Sequence, residues 1–229
     1  MGINMDGGTK EPQYNELFEV EKKFGRSKLG LMTNQSWNED PKRLVFTLSR
    51  YKFVAKMLVD KNNVLEIGCA DAFGSRIVAQ EVNNLTVTDF DPIFIEDVNA
   101  RASQEWPVKA VIHDFMKAPI SKNEYDAAYA LDVLEHILPG NENTFLSNMK
   151  NSLTKSGVLV IGMPSLESQV YASRASKLGH VNCKKSEDLK TTLMQHFENV
   201  FMFSMNDEVV HTGFYRMANY ILAVCVSPR

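Results

Sequence analysis

Four acids, Glu66, Asp89, Asp114 and Asp132, carry the strongest chemical signal in this chain of 229 residues. Each closes a short apolar run: VLE, LTVTD, AVIHD and AAYALD. Runs of that length read as buried strands, and ligands of open α/β sheets gather outside the carboxyl ends of such strands. The segment after Glu66, IGCADAFGS, is a loop of small residues leading into a helical pattern. Small residues there let backbone N–H groups approach a ligand closely. An acid about 20 residues further on, Asp89, suits the two hydroxyls of a ribose. Asp91 is a second acid in reach, but Asp91-Pro92 reads as an N-cap followed by a first-turn proline. The chemistry indicated is capture of a nucleoside-bearing cofactor.

A dinucleotide loop would read G-x-G-x-x-G, whereas here Gly68 is followed by Ala70 and Ala72 before Gly74. An oxidoreductase therefore loses its main support. From Asn63 to Met163 the order VLEIGCADAFGS, VTDFDP, VIHDF, YDAAYALDVLEHI and GVLVIGMPS resembles the five motifs of class I S-adenosylmethionine-dependent methyltransferases. The resemblance implies a Rossmann-like α/β fold: a mostly parallel seven-stranded sheet, one antiparallel strand near the carboxyl terminus, and helices on both faces. It implies S-adenosylmethionine as cofactor, with Glu66 orienting the methionyl ammonium and Asp89 accepting from the ribose hydroxyls. Asp114 and Phe115 would meet the adenine, while Leu131 and Asp132 would line the methionyl end. Gly68, Cys69 and Ala70 of the loop, and Phe90 beside Asp89, complete the implied cofactor set. The family usually has glycine where Ala70 and Ala72 stand, and alanine resists the positive φ that glycine accepts.

Methyl transfer from a sulfonium needs alignment and exclusion of water more than it needs a metal, and none is assigned. A hydroxyl or ammonium acceptor would use a base, for which histidine is suited near neutral pH. His180, in LGHVN, stands where many small-molecule methyltransferases carry a histidine and is the first choice. His136, in DVLEH, is the second, and His211, beside Asp207 and Glu208, the third. His113 and His196 read as structural. Tyr14, Trp37 and Arg43, in an amino-terminal segment that relatives often use as a lid, are candidates for the substrate side, and an arginine there suits a phosphate or carboxylate. GMPSLESQVYASRASKLGHVNCKKSEDL and FSMNDEVVHTGFYRMANY resemble methyltransferases of bacterial surface-polysaccharide pathways. The implied activity is O-methylation of a small polar metabolite. The alternatives are a catalytically inactive cofactor-binding or scaffold protein and a nucleic-acid or protein methyltransferase. The amine-methylating N/D-P-P-Y motif is absent, since LDVLEH stands in its place.

The elements that must hold these residues follow from periodicity. Leu44, Leu48, Tyr51, Ala55 and Leu58 mark one face of a helix beginning near Asp40-Pro41. Strands are expected near 63–67, 85–89, 108–112, 125–131, 157–162, 199–205 and 217–226. Helices are expected near 12–23, 74–82, 92–102, 141–153, 166–178 and 187–197, the last capped by Ser186. The stretch from Phe24 to Asp40 reads as turns. The expected organisation is a helical lid over residues 1–62 and a cofactor domain over 63–229. With 25 basic and 28 acidic residues the net charge is −3, which offers no footprint for a nucleic-acid backbone. Three cysteines without a paired motif fit a reducing compartment. The polar, glycine-rich start and the lack of a long apolar run point to a cytoplasmic protein away from membranes.

Overall fold

A computed structural model describes residues 8–229, so the first seven residues of the expected lid lie outside the described residues. Five parallel strands, with helices between all but the third and fourth, are β1 (Asn63–Ile67), β2 (Asn84–Asp89), β3 (Lys109–Ile112), β4 (Tyr125–Leu131) and β5 (Leu153–Pro164). Three further strands follow, β6 (Phe197–Asn206), β7 (Val209–His211) and β8 (Tyr220–Pro228). They join in the order β3-β2-β1-β4-β5-β8-β6-β7. The expected hairpin exists: β8 runs antiparallel to both β5 and β6. The three-residue strand β7, read from the sequence as loop, adds an eighth strand to the expected seven and pairs antiparallel with β6.

Alternation along the strands divides the core in two. Val64, Ala127, Tyr129 and Val160 face one side, where α3 (Lys42–Met57), α4 (Ser75–Ala79) and α5 (Pro92–Ala100) supply Tyr51, Val54, Val78, Ile95 and Val98. Leu65, Ile67, Ala128, Leu159 and Ile161 face the other, against Leu146 and Met149 of α6 (Glu142–Ser152) and Leu189 and Leu193 of α8 (Ser186–Leu193). Helix α3 belongs to this packing through Tyr51, Val54, Ala55 and Leu58, each at most 9% exposed. Residues 51–58 of the expected lid thus share a core with the sheet.

The amino-terminal segment departs most from its sequence pattern. Pro12–Tyr14 is a 3₁₀ turn leading into α1 (Glu16–Phe24), and the stretch read as turns contains α2 (Leu31–Glu39). Polar residues dominate α2, so no apolar stripe announces it; it is held by contacts distant in sequence. Asp71 accepts hydrogen bonds from the Thr33 N–H (2.6 Å) and hydroxyl (3.1 Å), and Asp97 accepts from the Leu31 N–H (3.3 Å). Asp40 closes α2 instead of capping α3 with its side chain. The expected helix over 166–178 divides into a 3₁₀ turn, Glu167–Tyr171, and α7 (Arg174–Gly179), which the Ser173 hydroxyl caps by accepting from the Ser176 N–H. Ser186 is the first residue of α8, one place beyond its N-cap.

Gly74 lets α3 reach the cofactor loop, because a Cβ at this position would overlap the ring of Tyr51. Gly74→Ala is expected to lower stability by about 2 kcal/mol, the cost of overpacking a filled site, read as a reduced urea midpoint. Gly140, with open space around its Cα, is the control: Gly140→Ala should leave the midpoint within the scatter of a surface change.

Candidate active site

The strand order reverses between β1 and β4, and there the loop after Glu66 meets the segment after Leu131. Gly68 has φ +70°, and a Cβ on it would stand 2.5 Å from Val133 Cγ2. Both requirements select glycine. Glu66 lies opposite Tyr129 in the β1–β4 register and points into the layer under α3. It is 1% exposed, and its carboxylate accepts from Tyr51 Oη (2.9 Å), Tyr129 Oη (2.8 Å) and the Ser75 hydroxyl. Burial pushes its pKa up to about 7, against the opposing pull of the three hydroxyl donors. The Glu66 carboxylate is enclosed by hydroxyls and braces the loop from beneath.

The loop keeps the backbone of a glycine-rich turn with alanine in it. Ala70 (φ 45°) and Ala72 (φ 50°) are both left-handed, where a Cβ costs on the order of 1–2 kcal/mol. Asp89 stabilises this conformation: its Oδ2 accepts from the Ala70 N–H and its Oδ1 from the Asp91 N–H, both at 3.0 Å. Each oxygen keeps a second lone pair. Asp91 accepts from the Ile93 N–H (3.1 Å) and caps α5 ahead of Pro92, as its sequence context predicts. Phe90 is 72% exposed and Ile112 53%. Two bare apolar side chains at the ends of β2 and β3, beside a carboxylate with free lone pairs, fit the base and sugar of a nucleoside. Asp114 is half-buried, accepts from the Met116 N–H (2.9 Å) and pairs with Lys117 (3.3 Å). Phe115, 3% exposed, packs against Phe145 in the core, which leaves its backbone as the part able to meet a ligand. Cys69 and Leu131 are also buried, and burial pushes the Cys69 thiol far up, removing it as a nucleophile.

Beyond β4, Asp132 takes a left-handed φ of 57° and binds Arg50 Nη1 through both oxygens, at 2.9 and 2.7 Å. Arg50 lies over the ring of Tyr220, 3.8 Å from its centroid. Burial acts to lower the Arg50 pKa, but the charge of Asp132 and the neighbouring acids hold it raised. Sequence reasoning missed Arg50; its one available signal is that it lies two helical turns after Arg43, on the same face. It also missed Glu135, fully buried in the 3₁₀ turn Leu134–His136 with neither carboxylate oxygen hydrogen-bonded. The Glu135 backbone carbonyl accepts from Val181 (2.8 Å) and Asn182 (3.0 Å), which brings the segment after β5 against the segment after β4. His136 and His180 consequently meet edge to face, 5.2 Å between centroids. His180 Nδ1 lies 2.8 Å from Gln169 Oε1, and His136 Nδ1 2.9 Å from the Gly179 carbonyl. Burial, then the neighbouring His136, lowers the His180 pKa, which favours the neutral imidazole.

Not every predicted residue joins this constellation. His211 on β7 spends both ring nitrogens in its own hairpin: Nε2 bonds Asn206 Oδ1 and Nδ1 accepts from the Gly213 N–H, each at 2.9 Å. Both ring nitrogens are thus engaged within the hairpin. Tyr14 and Trp37 are more than half exposed, and Arg43 is exposed on α3; no contact ties them to the crevice. His113 bonds the Ala118 carbonyl (2.9 Å), and His196 is buried.

The carboxyl of Glu66 titrates near 7 in the fold and near 4.5 in the open chain. The folded state therefore binds the extra proton between these values, and stability falls as pH rises from 4.5 to 7. Urea unfolding across that window should show a decline on the order of 3 kcal/mol from this group. Glu66→Gln should flatten it, and an unchanged slope would remove Glu66 as its source.

Residues 65–161 match the family described as "Methyltransferase domain". No curated protein sequence matches the chain. Among solved structures, the chain is similar to the N-methyltransferase NodS from Bradyrhizobium japonicum WM9 in complex with S-adenosyl-L-homocysteine, at 21% identity and a TM-score of 0.60, over 84% of this chain and 91% of that one. It is also similar to a TehB-like SAM-dependent methyltransferase from Corynebacterium glutamicum (15% identity, TM-score 0.61, 95% and 100% covered) and to DhpI with S-adenosylhomocysteine (13%, 0.65, 86% and 92%). These likenesses concern the fold. The matched segment holds Glu66, Gly68, Asp89, Asp114 and Asp132 in motif order at one sheet edge, and on that ground residues 65–161 form the methyltransferase domain of an S-adenosylmethionine-dependent enzyme.

Proposed function

We propose that this methyltransferase acts on a hydroxyl oxygen of a small polar metabolite: a sugar, a sugar nucleotide or a phosphorus-containing precursor of a surface glycan. The observation that carries the reading is the imidazole pair after β4 and β5, each ring with Nδ1 engaged and Nε2 free. A neutral His180 Nε2 can accept the acceptor's hydroxyl proton while that oxygen bonds the methyl carbon and the carbon–sulfur bond breaks toward sulfur. The proton then passes to water. Asp89, Phe90 and the Gly68–Ala70 backbone hold the cofactor in this reading, with Asp114, the Phe115 backbone and Leu131 around its base and methionyl ends. Asp132 and Arg50 border the acceptor.

The segments 162–189 and 203–220, through their likeness to surface-polysaccharide methyltransferases, support the substrate class. The net charge of −3 supports a small substrate over nucleic acid. Residues 1–62 serve as the substrate-side lid in this reading: α2 is anchored to the cofactor loop through Asp71, and Tyr14, Trp37 and Arg43 are available to a polar or anionic substrate. No helix among the described residues is long and apolar enough to cross a membrane, and glycan precursors made in the cytoplasm would suit an enzyme residing there.

Incubation with S-adenosylmethionine and a panel of sugar, sugar-nucleotide and phosphorylated precursors should release S-adenosylhomocysteine. Cofactor binding without turnover across the panel would identify a binding protein instead. His180→Ala should lower turnover at least tenfold while leaving S-adenosylhomocysteine affinity intact; a folded variant with full activity removes it as base. Asp89→Ala should weaken cofactor binding by about 2–4 kcal/mol, measured by calorimetry, and unchanged affinity would refute its part.

A further inference from the structure

We propose that Glu135, His136 and His180 bind a divalent transition-metal ion at the acceptor end of the crevice. A carboxylate oxygen of Glu135 and one ring nitrogen from each histidine lie within 4.8 Å of one another. Metal bonds of about 2.0–2.2 Å hold tetrahedral donors roughly 3.5 Å apart, so inward movement of the donors by about an ångström closes the site.

Two independent features prepare the donors. The first is the tautomeric state of the rings. A carbonyl oxygen can only accept, so the Gly179 carbonyl at 2.9 Å fixes the proton on His136 Nδ1 and leaves the Nε2 lone pair free. Gln169 does the same for His180: its Nε2 donates to the Ser165 carbonyl (3.1 Å), which turns its Oε1 toward His180 Nδ1 at 2.8 Å. An Nδ1–H held by a carbonyl or amide oxygen is the outer-shell arrangement that orients a metal-binding imidazole. Gly179 permits the close backbone approach, since a Cβ there would come 3.1 Å from the His136 ring.

The second is Glu135. Its side chain is fully buried, and both oxygens lack a hydrogen-bond partner, among the few buried side-chain atoms of the described residues in that condition. Arg50 is the nearby cation; its Nη1 is committed to Asp132, and its buried Nε makes no hydrogen bond to Glu135 or to any other described residue. A buried acid without a donor is costly whether charged or neutral, and a bound cation would supply the missing partner.

Two imidazoles and one carboxylate favour zinc, iron, manganese or cobalt over calcium or magnesium, which prefer oxygen ligands throughout. Three protein donors leave coordination positions open. The inference rests on the proposed reaction in one respect: an open position would take the acceptor's hydroxyl oxygen and lower the pKa of that hydroxyl, and with the His180 Nε2 lone pair on the metal the released proton would pass directly to water. The acceptor class narrows accordingly to metabolites with a hydroxyl able to coordinate a metal.

The test is metal binding by the full chain, freed of metal with EDTA and without any methyl acceptor. Zinc titrated in a calorimeter should bind at one equivalent, and cobalt should develop visible d–d absorption typical of a site with nitrogen ligands. Glu135→Gln and His180→Ala should each weaken zinc binding at least tenfold, with S-adenosylhomocysteine affinity retained as the measure of folding. His180 is only partly buried, so its variant keeps the test decisive where Glu135→Gln fails to fold. Gln169→Leu, which removes only the outer acceptor, should weaken binding by a smaller factor. Absence of stoichiometric binding, or equal binding by wild type and His180→Ala, overturns the proposal. Stoichiometric binding lost in the variants supports it even where no precursor is methylated, an outcome that counts against the proposed reaction alone.

Discussion

The Glu66 carboxylate is the constraint on which the cofactor edge depends. It joins four elements in one buried network: β1 through its own backbone, α3 through Tyr51, β4 through Tyr129 and α4 through Ser75. A carboxylate in such a place has lost its water, and three hydroxyls replace that hydration with fixed donors. The two tyrosines are raised far above their ordinary range, first by burial and then by the neighbouring Glu66, so they remain donors at any physiological pH. The loop between Glu66 and Ser75 is thereby held at both ends by one side chain. Gly74 completes the arrangement by admitting the Tyr51 ring.

This support gives meaning to the alanines. Positive φ at Ala70 and Ala72 stores strain, and such strain persists only where the surroundings overdetermine the backbone. Asp89 holds the Ala70 N–H from one side. Asp71 bonds the Phe73 N–H within the loop and the Thr33 N–H and hydroxyl beyond it. Its backbone carbonyl accepts from Arg101, which itself pairs with Asp97. A family loop that usually relies on glycine is here enforced by carboxylates, so alanine in the motif leaves its shape intact.

Much of the sheet was legible in the sequence because a buried strand must be apolar and a helix on it must repeat near 3.6 residues. VLEI, LTVTD and YDAAYAL satisfy the first rule, and Leu44 to Leu58 the second. Helix α2 was not legible, since its stability comes from Asp71 and Asp97, about 40 and 66 positions away. The roles of the acids were legible only in part. Period-two alternation could have placed Glu66 on the same face as Val64, but nothing local announces that Tyr51 and Tyr129 fill the space it points into. Arg50 and Glu135 share that limitation: the fold brings their partners, or withholds them.

The acceptor end is organised by a different logic from the cofactor end. Around Glu66 and Asp89 every buried oxygen has a donor, and the result is rigidity. The Glu135 carbonyl accepts two hydrogen bonds while no other side chain bonds its carboxylate. Asp132, a few residues earlier, adopts a left-handed conformation and aims its charge at Arg50. A fold that can satisfy Glu66 with three hydroxyls is not short of donors. One turn after β4 it leaves an acid without any, beside two imidazoles whose outer nitrogens are already anchored. Unsatisfied polarity of this kind costs stability, and it is retained where something outside the chain completes it. In the proposed reaction, this contrast separates the end of the crevice that holds the cofactor from the end that meets the methyl acceptor.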